Sequence, residues 1–114
     1  MSHAAGYYKI KTKESRTFDQ TFTYKIDGTP VNLTGYSATM KVRPSSRSRQ
    51  ILLTLTAGSG LTLGGAAGTV RVKITGAQNS ALGAGVFYYD IELLATNSDE
   101  IDFLEGQYEI KVGS

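Results

Sequence analysis

The chain has 114 residues and a net charge of +2, with 13 glycines, 7 tyrosines, 1 histidine and neither cysteine nor tryptophan. That length suits one domain. Disulfides and thiolate metal sites are excluded, no apolar run approaches the roughly 18 residues of a membrane span, and the ratio of 40% hydrophobic to 19% charged residues argues against disorder.

Residues 1–6 hold neither a basic start nor an apolar stretch, so no secretory signal is expected. They form a candidate flexible arm that would order only against a neighbour. The lone His3 sits in that arm, which removes the commonest base and metal ligand from any ordered site. A weak strand is expected from Tyr7 to Lys13. Phe18, Gln20, Phe22, Tyr24 and Ile26 then share one parity, the signature of a half-buried strand whose alternate side chains face opposite ways. Asp27-Gly28-Thr29-Pro30 reads as the turn that ends it. Tyr36, Ala38, Met40 and Val42 form the next inward face. Pro44 to Gln50 is the longest polar loop, and Ile51, Leu53 and Leu55 follow it as a third face.

The glycines at 58 and 60, and at 64, 65 and 68, read as turns, after which Val70, Val72 and Ile74 alternate with Arg71 and Lys73. Thr75 to Leu82 is the single helical segment, with Thr75 as N-cap and Gly83 as its stop. Phe87, Tyr89, Ile91 and Leu93 define a further inward face. Asn97-Ser98-Asp99-Glu100 reads as a solvated hairpin tip, and Tyr108, Ile110 and Val112 close the chain. About seven strands at this spacing predict an all-β antiparallel sandwich over residues 7–114. Tyr24, Tyr36, Tyr89 and Tyr108 fall on inward parities, whereas Tyr7, Tyr8 and Tyr88 are expected to face outward.

Leu82-Gly83-Ala84-Gly85-Val86-Phe87-Tyr88-Tyr89 resembles the corner that leads into strand F of immunoglobulin-like sandwiches. Phe87 occupies the place of the corner tyrosine and Tyr89 that of the antibody cysteine, so the domain is not of the antibody type. A wider likeness runs from Phe18-Asp19-Gln20-Thr21-Phe22-Thr23-Tyr24 through Leu33-Thr34-Gly35-Tyr36 and Val70-Arg71-Val72-Lys73-Ile74-Thr75 to Gly106-Gln107-Tyr108-Glu109-Ile110. It is similar to the N-terminal immunoglobulin-like domain of the baseplate upper proteins of tailed bacteriophages. The resemblance implies a docking module that seats receptor-binding machinery on a virion. Those proteins continue into long helical segments, so the module alone is expected here.

Few residues suggest chemistry. Asp99, Glu100 and Asp102 match no calcium loop, and Gly64 to Thr69 lacks a phosphate-loop lysine and leads into a strand. Asn32-Leu33-Thr34 matches the glycosylation acceptor pattern, but without a secretory signal its use is not expected. Arg43, Arg47, Arg49, Arg71 and Lys73 suggest a basic patch, but the loop carries no aromatic for base stacking and the total charge is low, so nucleic acid is not expected. No nucleophile–base–orienter set can be assembled, so neither an enzyme nor a cofactor is expected.

Charge distribution is more telling. Residues 1–73 hold 11 basic and 3 acidic residues, and residues 74–114 hold 1 basic and 7 acidic. Adjacent strands could pair these charges internally. Alternatively, Arg43, Arg47 and Arg49 of one copy face Asp99, Glu100 and Asp102 of the next in a head-to-tail ring. The expected function is that of a non-enzymatic virion protein, a tail, collar or baseplate adaptor that binds fibres or other virion proteins. The alternatives are a capsid decoration protein and a carbohydrate-binding module that uses exposed tyrosines such as Tyr88.

Overall fold

A computed structural model describes residues 6–113. The first five residues of the expected arm and Ser114 lie outside that range. Gly6, assigned to the arm from sequence, instead opens a strand. The strands are β1 (Gly6–Tyr7), β2 (Ile10–Lys13), β3 (Phe18–Thr23), β4 (Lys25–Ile26), β5 (Thr29–Pro30), β6 (Ser37–Arg43), β7 (Leu53–Ala57), β8 (Gly60–Leu63), β9 (Thr69–Ile74), β10 (Gly85–Leu94) and β11 (Glu100–Lys111). A 3-10 turn covers Gly65–Ala67, and helix α1 covers Gly76–Leu82.

Hydrogen bonding runs β1-β11-β10-β6-β7-β8-β9-β3, with β2 also on β11. The run β11-β10-β6-β7 has the G-F-C-C′ order of a variable-type immunoglobulin-like sheet, and β8-β9-β3 supplies D-E-B of the facing layer. The protein is an immunoglobulin-like β-sandwich. Its two layers are joined at one margin by a short parallel contact, Thr56 with Gly60 and Ala57 with Leu61. The pairing is not wholly antiparallel, because β1 and β2 also run parallel to β11.

The core lies between the layers and follows the alternation of the strands. Met40 and Val42 of β6, Val70, Val72 and Ile74 of β9, and Tyr108 of β11 are fully excluded from solvent. Each aliphatic side chain among them contributes about 1.5–3 kcal/mol of burial free energy. Helix α1 begins at a full capping box. Thr75 Oγ1 accepts from Gln78 N at 3.1 Å, while Gln78 Oε1 accepts from Thr75 N at 2.9 Å. Inside the helix, Asn79 is completely buried, accepts from the Tyr108 hydroxyl and donates to the Arg16 carbonyl at 2.6 Å. This relay ties the helix to β11 and to the segment entering β3.

Several boundaries differ from the sequence pattern. Ile26 is 53% exposed because β3 stops at Thr23, and Asp27 and Gly28, both at positive φ, make a two-residue hairpin of β4 and β5. Ile51 precedes β7 and Val112 follows β11, so both are exposed despite their parity. Gly60 is not only a turn: it begins β8, which buries Leu61. Strand β11 begins at Glu100, well before the Tyr108, Ile110 and Val112 alternation that announces it. The register against β10 shifts between Ile91 and Glu92, leaving Phe103 as an extra residue. That bulge turns Phe103 inward, edge-on to Tyr24 at 5.4 Å.

Candidate assembly surfaces

The strand registers fix where the candidate charges lie. Ser37 of β6 pairs Leu94 of β10, and Arg43 pairs Tyr88 at the other end of the same ladder, roughly 20 Å away. Arg47 and Arg49 extend from the Arg43 end in the exposed loop before β7. Asp99 closes the β10–β11 turn, and Glu100 and Asp102 are early residues of β11, beside the Leu94 end. The fold therefore collects the three arginines at one end of the sheet and the three acids at the other. It does not bring the two groups together within the chain.

Part of the basic set is neutralised internally. Arg43 Nη1 bonds Asp90 Oδ2 on the adjacent strand. Arg71 grips Asp19 with two bonds, Nε to Oδ1 at 2.9 Å and Nη2 to Oδ2 at 2.5 Å, on the outer face of the other layer. The hydrogen bond from Arg71 holds the Asp19 carboxyl below its ordinary range, with the charges of Arg71 and Lys73 adding to the effect. Lys73 stands directly across from Asp19 in register. Among the described residues, Arg47 and Arg49 have no ion-pair partner.

The acids are arranged against one another. On the outer face of β10 and β11, Asp90 stands opposite Glu105 and Glu92 opposite Asp102. Like charges in such positions destabilise a sheet unless something compensates. Asp90 has Arg43, but Glu92, Asp102 and Glu105 have no cationic partner among the described residues. The Asp99 carboxylate accepts from Asn97 Nδ2 at 3.1 Å, which braces the turn.

The tyrosines divide between two places. Tyr7, 70% exposed, and Tyr88, whose hydroxyl accepts from Gln107 Nε2 at 3.3 Å, share a concavity of about 230 Å³ with Arg43, Ser45, Asp90 and Glu105. Tyr8 turns instead toward the seam between the layers, where its ring meets Phe22 edge-on at 5.1 Å and its hydroxyl bonds the Gln20 amide. The backbone carbonyl of Tyr8 accepts from the buried Tyr89 hydroxyl at 2.6 Å. Tyr24, Tyr89 and Tyr108 are buried as their parity predicts, and Tyr36 is half-buried.

One basic site has almost no signature in the sequence. Lys11, Lys13, Arg16 and Lys111 line a cleft of about 420 Å³ beside the start of β3. Its residues come from three separate segments, and Lys13 meets Lys111 only because β2 runs parallel to β11. The one local signal was the spacing of Lys11 and Lys13, two residues apart on the outward parity of a weak strand. Among the described residues no cluster of acids or histidine is arranged to hold a metal ion.

No family model matches the chain, and no curated protein matches it. Among solved structures it is similar to a voltage-gated sodium channel β subunit studied for multimeric cell-adhesive interactions, at 11% identity over 99% of this chain and 98% of that one, with a TM-score of 0.48. It is likewise similar to the NK cell receptor NKp44, at 11% identity over 97% and 100% of the two chains and a TM-score of 0.47. Extracellular domains 3–5 of Drosophila OTK match at 18% identity over 90% of this chain and 32% of that chain, with a TM-score of 0.40. These likenesses carry no argument about function. The fold assignment rests on the strand order itself.

Proposed function

We propose that the protein is a non-enzymatic structural component of a tailed-bacteriophage virion, an adaptor of the tail, collar or baseplate that works through protein–protein contacts. The observation that carries the assembly part is the separation of charge, with Arg47 and Arg49, which have no ion-pair partner among the described residues, at one end of the sheet and carboxylates at the other. Such an arrangement steers copies, or unlike neighbours, into one polar orientation. The phage assignment rests on the sequence phrases from Phe18 to Ile110. Immunogold labelling of particles of the phage that encodes the chain tests it. Label on the tail, collar or baseplate is the expected result, label on the head favours capsid decoration, and particles without the protein overturn the proposal.

A carbohydrate-binding module is the second reading, favoured by the concavity that places Tyr7 and Tyr88 beside the Arg43–Asp90 pair and Glu105. Aromatic faces with flanking hydrogen-bonding groups suit sugar rings. Glycan-array binding by the isolated chain, abolished by Tyr88→Ala, would establish that reading in place of the adaptor.

A further inference from the structure

We infer that the cleft beside β2 and β3 is a socket for the acidic β10–β11 hairpin of a second copy of this chain. The inference rests on the assembly reading above and moves its basic partner from the arginine loop to this shallow cleft, where four cations rather than two lack ion-pair partners among the described residues. Lys11, Lys13, Arg16 and Lys111 converge on the cleft, with Thr12 and Thr17 adding hydroxyls. The only carboxylate in its lining, Asp19, is already gripped by Arg71. None of the four cations has an ion-pair partner among the described residues. Lys13 and Lys111 stand directly across from each other, a repulsive pairing that an anion held between them would relieve.

The occupant follows from complementarity and reach. Asp99, Glu100 and Asp102 place three carboxylates within four residues at a projecting turn. That turn is pre-ordered by Ala95 N to Asp99 O at 2.9 Å and Ser98 N to Ala95 O at 3.0 Å, so docking would cost little conformational entropy. The hairpin cannot enter its own cleft. Strand β11 carries the acids at its first residues and Lys111 at its last, roughly 36 Å apart along one extended strand. The longest dimension of the molecule is 42 Å, so socket and hairpin occupy opposite poles. The contact is therefore between copies, and each copy offers one of each.

Sedimentation velocity on two neutralised variants tests this. The cleft variant carries Lys11→Gln, Lys13→Gln and Arg16→Gln. The hairpin variant carries Asp99→Asn, Glu100→Gln and Asp102→Asn. All six positions are exposed, and circular dichroism with thermal melting verifies folding. The wild type should associate near 10 mM salt and dissociate toward 1 M, as the Debye length falls from about 30 Å to about 3 Å. Each variant alone should associate at least roughly tenfold more weakly. An equimolar mixture should give a one-to-one heterodimer and nothing longer, because each variant retains one intact surface. A cleft variant that associates like wild type overturns the socket. If neutralising Arg43, Arg47 and Arg49 then abolishes association, the assembly reading survives with the arginine loop as its seat. A wild type that stays monomeric overturns the socket but leaves the virion assignment to the labelling experiment. Binding of a short DNA duplex that the cleft variant loses, without self-association, assigns the cleft to phosphates and overturns the inference.

Discussion

Replacing Asn79 with alanine should be among the most damaging single changes to this fold, although Asn79 touches no candidate surface. Its carboxamide is wholly buried and joins the Tyr108 hydroxyl to the Arg16 carbonyl. Asn79→Ala strands the Tyr108 hydroxyl where water does not reach, at a cost of about 1–3 kcal/mol. The Arg16 carbonyl loses its Asn79 donor in the same variant, in a part-buried setting. The better helix propensity of alanine returns about 0.5 kcal/mol. The net expectation is a loss of about 1.5 kcal/mol, or roughly 6 °C in Tm for a domain of this size. Urea denaturation reads it directly, with an unchanged slope showing that unfolding stays two-state. Tyr108→Phe alone should cost about 1 kcal/mol, and the double variant should lose less than the sum, with a coupling of about 1 kcal/mol. A loss below about 0.5 kcal/mol for Asn79→Ala, or strict additivity, would refute the idea that this relay holds the helix to β11.

Other expectations concern different links. A Cβ at Gly106 would lie 2.3 Å from the backbone oxygen of Tyr8, so Gly106→Ala should lower stability by about 2 kcal/mol or more. Hydrogen exchange should quicken in β1 and β2. Gly58→Ala, where a Cβ meets nothing within 4 Å but the φ of 87° strains the backbone locally, should perturb the β7–β8 turn and leave exchange in β1 and β2 unchanged. Removing the capping box with Thr75→Ala should cost about 1 kcal/mol in the same urea assay. Burial pushes the Tyr89 and Tyr108 phenols well above their ordinary value of 10. The unfolded chain therefore ionises first and binds fewer protons. This contribution is fully present below pH 10 and falls as pH rises beyond it, by up to about 1.4 kcal/mol per pH unit for each phenol. Urea midpoints measured between pH 9 and pH 12 check the slope, which Tyr89→Phe should reduce.

Regular alternation made most of the sandwich legible. Val70, Val72 and Ile74, like Ala38, Met40 and Val42, announce their inward face without tertiary information. Helix α1 was equally plain, because Thr75 and Gly83 carry its start and stop locally, while the Gln78 half of its capping box emerges only in the structure. Legibility failed where parity breaks. The bulge at Phe103 sets two successive residues of β11 toward the core, which hid half of that strand. Ile26 and Val112 kept the rhythm after their strands had ended, and parity alone does not mark an end. The surfaces were readable only as separate lists of charges. Which carboxylates oppose one another, and that Lys13 lies against Lys111, depends on registers between segments tens of residues apart.

The opposed carboxylates on β10 and β11 have a bearing on symmetry. A two-fold axis passing between Glu92, Asp102 and Glu105 would gather six carboxylates, without ion-pair partners among the described residues, into one desolvated patch, a costly arrangement. Lys41 of β6 stands directly across from Asp90 on the same outer face, so an axis displaced toward β6 would instead set the lysine of each copy against the acids of the other. The repulsion between neighbouring strands of one chain thus bears on where a symmetry axis crosses the sheet.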